Sequence, residues 1–263
     1  MNRDNFPHFA LATNMSARNH APTTLILYDV RGQCDQSWLP SIWRIRLILN
    51  YKRIPYKTEW ISFQDVENTL RELHVPPTSQ RSDGRDVYTL PVLWDQGRRK
   101  FVSDTNRIAE YLEGISPARP VFPEGSKALQ SLFVYFVQEV FSKPLLPIMV
   151  PLSHQQLPDP AQNYFRPGQP PANMLTGHQR EQQWRAVQAQ FDFLDGIISK
   201  NDNDGDGVVV MGRDLSYADF AVCAVLLWIK RMAGNDGWAR VRTWNNGRWE
   251  RLLDRCREFM DER

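Results

Sequence analysis

Cysteine is scarce: only Cys34, Cys223 and Cys256 occur in 263 residues. An odd number at wide spacing argues against a disulfide framework and for reduced thiols in a cytoplasmic protein. No apolar run approaches the roughly 20 residues of a membrane span, so no membrane partner is expected. The formal net charge is only +2, which supplies neither the basic stripe of a nucleic-acid partner nor an acidic tail. The five histidines stand at no zinc spacing, and no metal is expected. Gly-x-Ser-x-Gly and Gly-x-x-x-x-Gly-Lys segments are missing, which argues against esterase and nucleotide chemistry. Residues 1–22 have no apolar signal-peptide core and read as a disordered tail. Within them Met15 is an alternative translation start, and Asn14-Met15-Ser16 fits a glycosylation sequon that is read as chance.

What is present is a clear order of elements. Residues 24–30 are rich in strand formers. Pro40 stands where a helix would begin, which suits its fixed φ and missing donor. Trp43, Leu47 and Tyr51 then recur at i, i+4, i+8, with Ile42, Ile45 and Leu49 beside them, so the helix is expected to be buried over much of its circumference. Pro55 ends it. A strand over 56–61, a short helix over 65–73, a loop over 76–86, a strand after Pro91, a turn at 95–98, a strand over 100–102 and a helix to Gly114 follow. A strand–helix–strand unit needs a parallel pair, and the closing hairpin is antiparallel. The expected N-terminal unit, 23–115, is therefore α/β: a thioredoxin-like domain with a mixed four-stranded sheet. Residues 116–126 are proline-rich and read as a linker. From 127 to 263 the strand signal nearly vanishes. Phe133, Phe136, Val137, Val140 and Phe141 keep helical spacing over 129–150, a proline-rich excursion covers 151–172, and helices are expected over 178–200, 216–232 and 248–262. This second unit reads as an all-helical bundle.

Two motifs suggest a binding site. Pro91 lies at the mouth of a hydrophobic strand, where proline is tolerated only at the first residue or an edge. In a layout of this kind the Leu90–Pro91 bond is expected to be cis, leaving the amide and carbonyl of Leu90 free to pair with an extended peptide. Asp104-Thr105 opens the next helix. Asp is a good N-cap, contributing about 1 kcal/mol. The helix start also offers free N–H groups, a positive dipole end and the Thr105 hydroxyl to a ligand carboxylate, with Asp104 available for an ammonium. Together, residues 88–112 form a clamp for a small peptide. Two further motifs read as structural. Ser216-Tyr217-Ala218-Asp219 is a capping box, with Leu215 and Phe220 as its hydrophobic staple. Residues 202–207 resemble the first half of a calcium loop, but the twelfth position is Arg213, so a polar surface loop is expected.

Three segments in this order resemble the glutathione transferase family: Thr89-Leu90-Pro91-Val92, Ser103-Asp104-Thr105 through Leu112, and Leu215 to Asp219. The resemblance covers nearly the whole chain from about residue 24. Residues 37–44, 50–58 and 144–165 are further similar to the fungal FuA class, related to bacterial β-etherases and found in wood-decaying fungi. The resemblance implies that Leu90 and Pro91 hold the cysteine backbone of glutathione, the co-substrate, and that Asp104 and Thr105 hold its γ-glutamyl group. It implies a cytoplasmic homodimer acting in detoxification on small aromatic ligands such as wood-derived polyphenols. Trp38, Leu39, Phe133, Phe136 and Phe141 are candidates for the hydrophobic substrate site. The family's thiol-activating serine stands immediately before the proline that begins the first helix, and here that residue is Leu39. A hydroxyl-to-thiolate hydrogen bond contributes on the order of 1.5–3 kcal/mol, or roughly one to two pKa units. The helix N-terminus can still favour the thiolate. Ser41, in the first helical turn, and Ser37, in the preceding loop, are the substitute catalytic candidates, and Cys34 would bring glutaredoxin-like or lyase chemistry. The alternative to an enzyme is a ligandin, which binds glutathione or polyphenols and turns over little.

Overall fold

The computed structural model describes residues 25–32, 36–157, 175–203 and 205–262. The expected tail over 1–22, Cys34, Asp204 and most of the proline-rich excursion lie outside these residues. The N-terminal unit contains β1 (Leu25–Arg31), α1 (Pro40–Tyr51), β2 (Tyr56–Ser62), α2 (Val66–Glu72), β3 (Ser79–Gln80), β4 (Asp86–Val87), β5 (Val92–Asp95), β6 (Lys100–Ser103) and α3 (Thr105–Ile115). The four-stranded sheet has the order β2-β1-β5-β6. β1 and β2 are parallel, with Leu25 opposite Tyr56, and the other two pairs are antiparallel. This is the mixed thioredoxin-like sheet. The expected loop over 76–86 contains one difference, the small hairpin of β3 and β4. Two-residue strands are too short to show any period in sequence.

Period-two alternation along β1 explains why both sheet faces are covered. Leu25 and Leu27 point into the core under α1 and α3, whereas Tyr28 and Val30 join Ile61, Val66 and Leu70 on the α2 side. The hairpin turn is closed by Asp95, whose buried carboxylate accepts from the Arg98 amide at 2.9 Å and from the Tyr111 hydroxyl at 2.6 Å. That second bond docks α3 on the sheet. Burial, reinforced by Asp95, pushes the Tyr111 phenol up to about 12.

The second unit is helical: α4 (Lys127–Phe136), α5 (Leu146–His154), α6 (Gly177–Ile198), α7 (Tyr217–Met232) and α8 (Arg248–Arg255) are its longer segments. The run over 129–150 is not one straight helix. A wide turn over Val137–Phe141 and a tight one over Lys143–Leu145 separate α4 from α5, because Pro144 cannot donate to the helical ladder. By length and composition Lys127–His154 could cross a membrane, with a window of mean hydropathy 1.3, of which 39% is buried. Its inner side packs in the core through Val134, Val137, Phe141, Leu145 and Ile148. The helix expected over 248–262 ends at Arg255 and continues as a tight turn over Arg257–Phe259.

α7 is buried along nearly its whole length and packs on α1, which joins the two units through one core. Its capping box is present. Asp219 accepts from the Ser216 amide at 2.8 Å, the Ser216 hydroxyl at 2.7 Å and the Val210 amide at 2.7 Å. The segment expected as a linker is pinned rather than free. The buried Lys52 donates to the carbonyls of Ser116 and Arg119 and pairs with Glu113 at 2.7 Å, while the Tyr217 amide donates to Val121 at 2.8 Å. The calcium-like stretch folds around a protein cation. Arg248 reaches Asp195, Asp202, Ser199 and the carbonyl of Gly207.

Candidate functional site

The candidate clamp lies where β5 and α3 begin. The Leu90–Pro91 peptide is cis, as expected. Ladder pairing begins one residue later, at Val92, opposite both Tyr28 and Ser103. Leu90 is half-buried and Pro91 buried. Asp104 caps α3, accepting from the amides of Asn106 and Arg107 at 3.0 Å each. Both bonds go to Oδ1. Two of the free amides expected at this helix start are therefore already occupied by the protein, and the buried Thr105 remains beside Leu90 in the candidate set. Asp104 also has φ 75° and ψ 130°. Such a backbone is costly for a residue with a Cβ, on the order of 1–3 kcal/mol, and clusters at functional sites.

The start of α3 is tied to both neighbouring helices by residues the sequence did not single out for this role. The Tyr217 hydroxyl donates to Asn106 Oδ1, and Arg44 Nη1 donates to that hydroxyl at 3.3 Å. Arg44 is buried within α1. Burial raises the Tyr217 phenol pKa, with Arg44 opposing it. On the same helix Arg46 pairs with Asp29 of β1 at 2.9 Å, both fully buried. Burial pushes the Asp29 carboxyl up against the pull of Arg46. Two arginines in an otherwise apolar stretch were the only sequence signal for these networks.

The candidate thiol end is the loop between β1 and α1. Leu39 occupies the N-cap of α1 with extended backbone (φ −73°, ψ 127°), and its side chain makes no cap hydrogen bond. Its carbonyl accepts from the Ile42 and Trp43 amides at 3.1 and 3.0 Å, and its side chain is half-buried against core on both sides of the sheet. Ser41 is half-buried in the first turn. Ser37 is fully buried, and its peptide is held at both ends. The Ser37 amide donates to Glu262 at 2.8 Å, and its carbonyl accepts from Trp43 Nε1 at 2.8 Å and Arg231 at 2.5 Å. Its hydroxyl lies by the buried Asp29 carboxylate and opposes the upward push of burial on that group. Of the two serines, Ser41 is the more accessible to a ligand.

Of the aromatic candidates only Phe133 and Phe136 meet among the described ring contacts, at 6.4 Å. Trp38 lines a cavity of about 200 Å³ with Gly32, Gln36, Ser37, Gln156, Arg231 and Met232. Phe133 lines a different one of about 210 Å³, between α4 and the end of α6, with Leu129, Ile197 and Met211. Phe136 also lies against the exposed Phe193, tilted, at 5.8 Å. Phe141 is a core residue, edge-on to Phe191 at 4.7 Å. The helical period that grouped these three phenylalanines carries no information on which cavity each one meets. Among the described residues no group of three or more His, Cys, Asp or Glu is placed to hold a metal ion.

Comparison with known proteins agrees with this fold. The family model described as "Glutathione S-transferase, N-terminal domain" matches residues 40–115, and "Glutathione S-transferase, C-terminal domain" matches 128–259. The chain is 26% identical over 241 residues to the glutathione S-transferase-like protein ustS of Aspergillus flavus, covering 83% of each. Among solved structures it is similar to glutathione transferase GSTFuA3 from Phanerochaete chrysosporium, with 27% identity and TM-score 0.83, over 91% of this chain and 98% of that one. It is also similar to a glutathione S-transferase of Ceriporiopsis subvermispora, CsGST83044, solved in complex with glutathione, with 32% identity and TM-score 0.81, over 90% and 99%. With both domains matched and these relatives spanning almost its whole length, the chain belongs to the glutathione transferase family and, within it, is similar to the fungal FuA class.

Proposed function

We propose that this protein binds glutathione along Leu90, Pro91, Asp104 and Thr105 and works on hydrophobic aromatic compounds, such as wood-derived polyphenols, in the cytoplasm. Residues 23–115 supply the glutathione clamp, 116–126 connect, and 127–263 supply part of the aromatic site together with Trp38 and Leu39. The observation that carries this reading is Asp104, a non-glycine residue with φ 75° at the start of α3, whose neighbour Ser103 pairs with Val92, the residue after the cis Leu90–Pro91 peptide. Glutathione, bound in the Ceriporiopsis relative, brings the carboxylate and amine that such a helix start recognises. Calorimetric titration of glutathione is the test. Thr105→Ala should weaken binding about tenfold, the worth of one charge-assisted hydrogen bond, and unchanged affinity would remove the clamp reading.

A ligandin is the second reading, and Leu39 favours it. Without a hydroxyl before Pro40, thiolate formation rests on Ser41 and the start of α1, so binding persists while turnover falls. Rates of conjugation to an electrophilic aromatic, measured beside binding of the same compound, separate the two. A homodimer accompanies either reading. Leu129, Leu132 and Tyr135 are 61–70% exposed on one face of α4, an apolar stripe suited to a second copy of the chain. Sedimentation should show a dimer that Leu132→Glu dissociates.

A further inference from the structure

Arg231 is the only charged side chain among the described residues lining the cavity beside the β1–α1 loop. It extends from the last turn of α7 and keeps 23% of its side chain exposed. Its guanidinium is held on three sides. Nη2 donates to Glu262 Oε1 at 2.5 Å, Nη1 donates to the Ser37 carbonyl at 2.5 Å, and the group lies over the Trp43 ring at 4.6 Å. Glu262 uses its other oxygen to accept from the Ser37 amide at 2.8 Å. The segment carrying Glu262 is itself fastened to α1, because Asn50 Nδ2 donates to the carbonyls of Phe259 and Asp261 at 2.7 and 2.8 Å.

We propose that Glu262 is the specificity-determining residue of this cavity. By pairing with Arg231 and holding it against Ser37 and Trp43, it neutralises the charged group that lines the cavity among the described residues and makes the cavity a site for a neutral second substrate. The volume, about 200 Å³, sets the size: a cavity of roughly 150 Å³ takes benzene, so one substituted ring fits. A guanidinium without its carboxylate would instead recruit a carboxylate or phenolate, the partners its planar donors match. This rests on the reading that the cavity beside the thiol loop takes the second substrate, but its test needs no glutathione.

Acetophenone and benzoate have similar shape and differ in charge, and calorimetry at pH 7 compares them. Wild type is expected to bind acetophenone about tenfold more tightly than benzoate. In Glu262→Gln, benzoate affinity should rise about tenfold, with acetophenone held within about twofold. In the double variant with Arg231→Gln, that gain should vanish. An unchanged ratio in Glu262→Gln, a gain that survives in the double variant, or no binding of either probe by wild type overturns the proposal. Should Glu262→Gln melt below the assay temperature, the wild-type ratio decides, and a value near one overturns it. Glutathione titrated separately judges the family-level reading, so the two can fail independently.

Discussion

Leu39→Ser tests the thiol end, and the expected result changes sign with pH. Two stability effects oppose each other. The half-buried leucine loses about 1 kcal/mol of apolar burial, part of the 1.5–3 kcal/mol of a fully buried side chain. Serine at this N-cap, which now has no side-chain cap, returns about 1 kcal/mol. The variant should therefore fold and melt close to wild type. If its hydroxyl reaches the sulfur, the thiol pKa falls by roughly one to two units from an ordinary 8.5. At pH 6.5 the thiolate fraction then rises from about 1% to about 10–50%. Nucleophilicity falls with basicity, about threefold per unit, so the net gain in rate is only about three- to sixfold. At pH 9.5 both proteins hold mostly thiolate, and the variant should be slower by about three- to eightfold. The two pH–rate curves should cross between about pH 7.5 and 8. The assay is initial rate at saturating glutathione with an electrophilic chlorodinitrobenzene from pH 6.5 to 9.5. A rate ratio that stays flat across this range refutes the argument that residue 39 faces the thiol.

Asp219→Ala leaves the Ser216 and Val210 amides buried without an acceptor and should cost about 3–5 kcal/mol, read from urea unfolding. Burial raises the Asp219 carboxyl to about 6, so the folded state holds a proton that the unfolded chain has released between about pH 4 and 6. That group's contribution is complete below pH 4 and lost as pH rises through 6, so Asp219→Asn should gain about 3 kcal/mol on wild type between pH 4 and pH 7. Asp29→Ala strands the buried Arg46 guanidinium and should cost about 3–5 kcal/mol by the same measurement. Cys223 and Cys256 touch across α7 and the end of α8, both fully buried. Burial raises the Cys223 thiol well above its ordinary range, so neither should react with an aromatic disulfide reagent until the protein unfolds. Labelling of either by peptide mapping under native conditions contradicts this.

Much of the fold was legible because its punctuation is local. Pro40 suits a helix start, Pro91 the mouth of a ladder and Asp104 an N-cap, and each sits where that chemistry requires. The capping box at Ser216 carries its partner three residues away, within the reach of sequence reading. Errors arose where period was read without breaks. The apolar spacing over 129–150 continues through Pro144, but the hydrogen bonds do not. The same spacing placed Phe133, Phe136 and Phe141 together, while the turn over Val137–Phe141 rotates Phe141 into the core and leaves Phe136 on the outer face.

The site was half legible for the same reason. The clamp is built from neighbours in sequence, and its order of residues is its geometry. The thiol loop is built from strangers. Ser37 is held by Glu262, 225 residues away, and by Arg231, 194 away. No local propensity marks such a contact, and each residue alone reads as a solvated charge. Yet these are the groups that fix the backbone leading into Leu39 and Ser41, because Ser37 is two residues from the N-cap and its peptide is held at both ends. The consequence is directional. Changes at Leu90 or Thr105 should act on glutathione affinity, whereas changes at Glu262 or Arg231, far along the chain, should act on what glutathione meets.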